Sequence, residues 1–518
     1  MLHEPARLDS QVGLNRRNDD AFGAKETQVV SEGAVQGALA TRRAEDRGDD
    51  EPYLTLEEVA AHSLAHDAWV IVDGKVYDVT DFHHKHPGGS SVIVANAGRD
   101  VTELFRSIHP PNTLENNLPK ESFKGLVDPE AVAAVRHHTY QAEIDRLEAA
   151  REALPDVETM LSLQEIEDTA KSFLSERTSN YYSGYSLDGF SVVENSSSFR
   201  KCRLLPRIML DVTTARPQTT IFGVPSALPI YIAPASNALL GHPDGELNLT
   251  RGAAKTGIVQ GVSAASSYPL RDILQEKAEL DAASGNKMGM VYQVYVVPDR
   301  SKTVDLVKEA VAGGCQALVL TVDSNVGDLR QTTEKLKGTR GSAEPGIKMG
   351  PFTEGDGWHD TALNWDDLKW IKELAGDVPV YLKGVCHIED VRLAKQHGLA
   401  GCILSNHGGR QLDRARTGFD SLRSIYAEDP QLCKETELYI DGGCRRGSEV
   451  LQALAMGAKG VGLGRPFLWA QAAYGEKGVI RAVRIMEDEI VTAMRLLGVR
   501  RIDEIKPGMV ECLQEIWK

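Results

Sequence analysis

A histidine and an arginine stand three residues apart in Ser405-Asn406-His407-Gly408-Gly409-Arg410-Gln411-Leu412-Asp413. In a glycine-rich loop such a pair can converge on one small anion. The guanidinium offers a planar fork that matches a carboxylate, and the imidazole takes up a proton near neutral pH. In isolation, His-Gly-Gly-Arg reads as a structural turn. Polar groups at the ends of other apolar runs change that weighing. Asp323 closes Thr321-Val322-Asp323 and suits the orientation of His407 and the stabilisation of its imidazolium. Lys383, in Tyr381-Leu382-Lys383-Gly384, suits negative charge that develops on a bound group during reaction. Gln293 and Tyr295 share one face of Tyr292-Gln293-Val294-Tyr295. As plain core residues these groups would be costly, because buried polar groups need partners.

Two further strings, Asp441-Gly442-Gly443-Cys444-Arg445-Arg446-Gly447 and Gly462-Leu463-Gly464-Arg465-Pro466, suit a phosphate held by backbone N–H groups. Gly460–Gly464 lacks the full GxGxxG spacing, so NAD is not expected. A separate constellation lies upstream. His86 stands before Pro87-Gly88-Gly89, a rigid turn with little bulk, where a flat cofactor can approach the backbone. His109 follows in Phe105-Arg106-Ser107-Ile108-His109-Pro110. Two neutral imidazoles facing each other across a haem iron leave no open position, which favours electron transfer over oxygen binding. His83 and His84 read as surface-turn histidines.

The elements that must position these groups follow from hydrophobic patterning. Eight short apolar runs read as strands: 230–236, 258–263, 288–296, 318–323, 378–384, 401–406, 438–442 and 460–464. Helical stretches such as 303–312, 365–374, 388–396 and 448–455 separate them. This alternation predicts an α/β fold, a closed (β/α)8 TIM barrel with its chemistry at the C-terminal strand ends. In front of it, 69–72 and 75–79 read as a hairpin turning at Asp73-Gly74, part of a small α+β unit. The expected organisation is a disordered polar tail over 1–50, the α+β unit over 51–128, a connecting helix over 129–157 and the barrel with a C-terminal tail over 158–518.

With 58 Lys and Arg against 74 Asp and Glu, the net charge is −16, which argues against nucleic acid and permits a basic protein partner. No run of about 18 apolar residues suggests a membrane span. Seven scattered cysteines without a CxxC pair argue against a disulfide framework, a zinc ribbon or covalent c-type haem attachment. The first residues lack an apolar signal core. The compartment stays open between cytoplasm and mitochondrial intermembrane space.

From Tyr53-Leu54-Thr55-Leu56-Glu57-Glu58-Val59 through Val76-Tyr77-Asp78-Val79-Thr80 to Ala97-Gly98-Arg99-Asp100-Val101-Thr102, the upstream unit resembles the cytochrome b5 family, whose axial haem b ligands fall on His86 and His109. From about Leu161 to Pro507 the chain resembles the FMN-dependent 2-hydroxy acid dehydrogenases and oxidases. That resemblance implies that His407 is the base, with Asp323 supporting it. It implies that Arg410 and Tyr181 bind the substrate carboxylate, that Tyr295 contacts the hydroxyl, and that Arg330 lies in a mobile loop. FMN would be held by Pro234, Ala235, Ser236, Ser263, Gln293, Thr321, Lys383, Ser405, Asp441, Gly442, Gly443, Arg445, Gly464 and Arg465. The two resemblances together imply an L-2-hydroxy acid dehydrogenase passing electrons through haem b to an acceptor such as cytochrome c, in a homotetramer. The alternatives are an oxidase that releases hydrogen peroxide and a redox-sensing protein with a retired barrel. Departures stand at Ser324-Asn325-Val326-Gly327-Asp328-Leu329, where the family has a Pro and a Leu-Gly pair. Others stand at Ala265, usually bulky, and at Ala235-Ser236-Asn237, usually Thr-Ala-Leu or Thr-Ala-Met. The first leaves the role of Arg330 open. The small Ala265 leads to the expectation of a substrate larger than lactate.

Overall fold

A computed structural model of the chain describes residues 53–86, 90–94, 96–106, 109, 113–127, 149–326 and 360–512. The expected tail, residues 129–148 of the expected connector, and Arg330 lie outside them.

The upstream unit is built on strands β1 (Tyr53–Leu54), β2 (Ser63–Leu64), β3 (Asp67–Val72), β4 (Lys75–Asp78), β5 (Arg99–Asp100) and β6 (Phe123–Val127), in the order β1-β6-β4-β3-β2 with β5 beside β3. The hairpin forms where expected: Asp73 (φ 54°) and Gly74 (φ 75°) are both left-handed, which matches the twist of β3 and β4. Alternation along β3 places Val70 and Val72 in one apolar layer and Ile71 in another, so both faces of the sheet are covered. The helix Leu56–Ala61 starts at a capping box in which Thr55 and Glu58 exchange hydrogen bonds with each other's backbone.

Downstream, eight parallel strands close on themselves: β10 (Ile230–Ile232), β11 (Val259–Val262), β12 (Met290–Val294), β13 (Ala317–Thr321), β14 (Val380–Val385), β15 (Gly401–Leu404), β16 (Glu437–Asp441) and β17 (Ala458–Leu463). Pairing of Ile230 with Val461 completes the ring. These strands are almost wholly buried, because helices cover them outside and side chains fill them inside, which is why they read as continuous apolar runs. The hairpin of β8 (Thr219–Ile221) and β9 (Val224–Ser226) carries Phe222 into the barrel interior, against Tyr231, Tyr381 and Tyr439. The interior is thus filled by aromatic side chains around Phe222, whose partners Tyr381 and Tyr439 donate to Glu437 at the start of β16.

A feature outside the sequence expectations is a disulfide between Cys202, in β7 (Cys202–Leu204), and Cys512, in β18 (Val510–Cys512), directly opposite in an antiparallel pair. The two are 310 positions apart. It is a single bond rather than a framework, and the other five cysteines are free. Among the described residues, no helix is long and apolar enough to cross a membrane.

Candidate active site

The segment after β15 turns sharply: His407 adopts φ 58°, a left-handed conformation uncommon for a residue with a Cβ. Its backbone N–H donates to Ser405 Oγ at 2.9 Å, and its Nδ1 lies 2.9 Å from Asp323 Oδ1. Burial pushes the Asp323 carboxyl up, but His407, through its charge when protonated and its hydrogen bond, and the Lys383 ammonium outweigh burial and hold it below the usual carboxylate range. An ionised carboxylate only accepts, so Nδ1 carries the proton and the Nε2 lone pair is left to take one from substrate. Room for Asp323 comes from Gly384 (φ 101°), where a Cβ would lie 2.3 Å from Asp323 Cγ.

Lys383 is buried near the end of β14. Its Nζ donates to Ser405 Oγ at 3.2 Å and pairs with Asp441 Oδ2 at 3.4 Å. Burial lowers its pKa, yet Asp441 and Asp323 raise it further than burial lowers it, so the ammonium stays charged. Ser405 Oγ in turn donates to Asp441 Oδ1 at 2.5 Å.

Pro234, Ala235, Ser236, Ser263, Gln293, Tyr295, Thr321, Lys383, His407, Arg410, Asp441, Gly442, Gly443, Arg445, Gly464 and Arg465 line one cleft at the C-terminal strand ends. Ser405 lies beneath it, fully buried, and Asp323 backs His407. FMN fits this donor set. Gln293 Oε1 accepts from Ser263 Oγ and the Ala264 N–H, which turns its Nε2 away from them. That Nε2 and Thr321 Oγ1 are buried with no protein partner, as expected of groups that meet a polar ring edge. At the far end, a Cβ on Gly464 would meet only Ala233, at 3.9 Å, so the backbone is open to a ligand where the helix Arg465–Leu497 begins.

Arg410 and Arg465 have a further task that sequence reasoning missed. Arg410 donates to the carbonyls of Tyr181, Tyr182 and Gly184, and Arg465 to those of Tyr182, Gly184 and Gly408. Both guanidiniums thereby cap the C-terminal end of the helix Glu176–Ser183, which carries Tyr181; that residue is not among the side chains lining the cleft but reaches one of them. The Tyr181 hydroxyl bonds Ser236 Oγ at 2.8 Å. Glu246 was also missed. Its buried carboxylate accepts N–H bonds from Ala238, Ser267 and Tyr268, tying together the loops after β10 and β11. Ala265 is half-buried in the second of these loops.

In the upstream unit, the rings of His86 and His109 are 5.7 Å apart, centroid to centroid. His109 Nδ1 bonds the Phe105 carbonyl at 3.2 Å, which leaves Nε2 for a metal. Burial, with His86 nearby, pushes His109 down to about 4 despite the Phe105 bond, so the imidazole is neutral, as a ligand must be. The rings of Phe82 and Phe105 lie beside His86 and His109, both phenylalanines pack on the apolar core of the unit, and haem b fits this set. His83 corrects an expectation: it is buried and bonds Ser90 Oγ at 2.5 Å, whereas His84 is exposed as expected. Its ring finds a partner seven residues on, at the start of the helix Ser90–Val94.

Comparison with known proteins agrees with this geometry. Residues 170–512 match the FMN-dependent dehydrogenase family, and residues 55–128 match the cytochrome b5-like heme/steroid binding domain. The L-lactate dehydrogenase (cytochrome) of Wickerhamomyces anomalus is 37% identical over 466 residues, 88% of this chain and 80% of that protein. The Saccharomyces cerevisiae protein of the same name is 36% identical over 488 residues, 89% of this chain and 81% of that protein. A substituted flavocytochrome b2 with pyruvate bound superposes with a TM-score of 0.66 at 35% identity, over 72% of this chain and 91% of that one. The chain belongs to the FMN-dependent dehydrogenase family and, with its cytochrome b5-like domain, to the flavocytochrome b2 group within it.

Proposed function

We propose that the protein oxidises an L-2-hydroxy acid, L-lactate or a bulkier analogue, to the 2-oxo acid. When bound, FMN supplies a two-electron acceptor and haem b a one-electron carrier toward an external acceptor such as a cytochrome c. The observation that carries this reading is the His407–Asp323 pair at the rim of a cleft that also holds a charged Lys383. His407 Nε2 takes the α-proton, or the hydroxyl proton if the carbon loses hydride. Asp323 stabilises the resulting imidazolium. Arg410 and Tyr181 hold the carboxylate, Tyr295 holds the hydroxyl, and the Lys383 ammonium answers negative charge developing in the cleft. A net charge of −16 favours encounter with a basic acceptor, and assembly as a homotetramer is part of the same proposal.

Anaerobic stopped-flow mixing with L-lactate, L-mandelate and longer-chain L-2-hydroxy acids tests it. Flavin bleaching followed by haem reduction is expected, and the fastest acid names the substrate class. No change with any acid would overturn the assignment. Stoichiometric hydrogen peroxide in air, with slow haem reduction, would favour the oxidase. The highest kcat/KM with lactate would exclude a preference for bulkier acids.

A further inference from the structure

We infer that Ser236 and Asn237 are positioning residues that set the hydroxyl of Tyr181 as a hydrogen-bond donor to the substrate carboxylate. The inference rests on the reading of Tyr181 as a carboxylate-binding residue. Three polar groups meet at this corner of the cleft: Ser236 Oγ lies 2.8 Å from Tyr181 Oη, and Asn237 Nδ2 lies 2.5 Å from the same oxygen.

The proton logic is constrained. The Asn237 amide nitrogen can only donate, so Tyr181 Oη accepts from it. The phenol's own hydrogen is therefore directed elsewhere, and Ser236 Oγ is its recorded neighbour. A carboxylate accepts and does not donate. When one arrives, the phenol hydrogen turns to it, and the Ser236 hydroxyl can reverse and donate to Tyr181 Oη. A phenol oxygen that accepts two hydrogen bonds is a stronger donor through mutual polarisation. The scaffold keeps this arrangement fixed. Asn237 sits in a left-handed turn (φ 59°), and its carbonyl accepts from Tyr182 Oη at 3.1 Å. The next N–H, of Ala238, is held by Glu246. The side chain of Asn237 is thus aimed by backbone that cannot easily relax.

The test is calorimetric titration of pyruvate into the oxidised, full-length protein loaded with FMN and haem, with cofactor content matched across variants. Ser236→Ala and Asn237→Gly, the second chosen because glycine accepts the left-handed turn, are each expected to weaken pyruvate about three- to tenfold, the worth of one neutral hydrogen bond. Each is expected to raise KM for the hydroxy acid more than it lowers kcat. In a Tyr181→Phe background the same substitutions should have little further effect, because residues that act through one hydroxyl are not additive. Undiminished effects in that background would overturn positioning through Tyr181. If Tyr181→Phe weakens pyruvate and neither neighbour does, the inference fails and the reading of Tyr181 stands. If Tyr181→Phe leaves pyruvate unchanged, the carboxylate reading fails, and the inference with it.

Discussion

Replacing Asp323 by Asn removes one charge while keeping the shape of the side chain that faces His407 at 2.9 Å. The position is nearly enclosed, with 12% of the side chain exposed, so solvent screens little of the interaction. A hydrogen bond to a charged group is worth about 1.5–3 kcal/mol. If that stabilisation belongs to the imidazolium formed during proton removal, its loss slows the step about 10- to 150-fold. An amide can also present its N–H₂ to Nδ1 and drive the imidazole proton onto Nε2, which adds to the loss. The assay is the rate of flavin bleaching under anaerobic conditions with protiated and 2-deuterated L-lactate, on protein with unchanged FMN content. The slowed rate should carry a full isotope effect, because the damaged step is C–H cleavage. A change of less than threefold, with FMN retained, would refute the pairing argument. The pH sign is fixed as well. The folded carboxyl lies below its ordinary 3.8, so the unfolded chain takes up this proton first as the pH falls. The stabilising contribution is complete above pH 3.8 and is lost as the pH drops further through the folded value.

Other perturbations separate the two cofactor sites and the scaffold. His86→Ala should abolish haem absorption and the reduction of added cytochrome c, while lactate still bleaches the flavin; bleaching lost together with haem would contradict independent sites. Glu246→Gln leaves a donor facing the Tyr268 N–H in a buried clamp, at a cost of about 1–3 kcal/mol and roughly 2–6 °C in Tm. An unchanged melting curve would show that the clamp contributes nothing. Alkylation of the unreduced, denatured chain should modify five of its seven cysteines, and all seven after reduction; seven at once would exclude the Cys202–Cys512 bond.

Much of the barrel was legible because its strands are buried on both faces and stop where polar residues begin. Thr321 and Asp441 end their strands, Lys383 stands two residues before the end of β14, and Ser405 follows β15 directly. Asp73-Gly74 was legible because both positions need left-handed backbone. What stayed hidden depends on partners far apart in sequence. Nothing near Cys202 announces Cys512, and nothing in Tyr181-Tyr182-Ser183 announces that Arg410 and Arg465 will cap that helix. His83 was misread because its partner, Ser90, stands seven residues on and not among its immediate neighbours. Glu246 stands in the first turn of its helix, and only tertiary structure brings three backbone N–H groups to it.

Two of the seven non-glycine residues with positive φ among the described residues stand beside the cleft. His407 (φ 58°) and Asn237 (φ 59°) are non-glycine residues in left-handed conformations, each just after a barrel strand, and each carries a side chain aimed at the cleft's polar groups. Such conformations cost about 1–3 kcal/mol each and persist only where the surroundings fix them. The fixing groups here are specific. Ser405 is the hub for His407: it accepts the His407 N–H and the Lys383 ammonium while donating to Asp441. One hydroxyl thus sets the angle of the base and the position of the cation that faces the cofactor cleft. Ser405→Ala would therefore disturb proton removal and cofactor binding together. Asp323→Asn, which leaves every Ser405 bond in place, should disturb the first alone. A Ser405→Ala protein that kept FMN affinity and lost only rate would mean that Lys383 and Asp441 hold each other without the hydroxyl, and that the strain at His407 is relieved by some other bond.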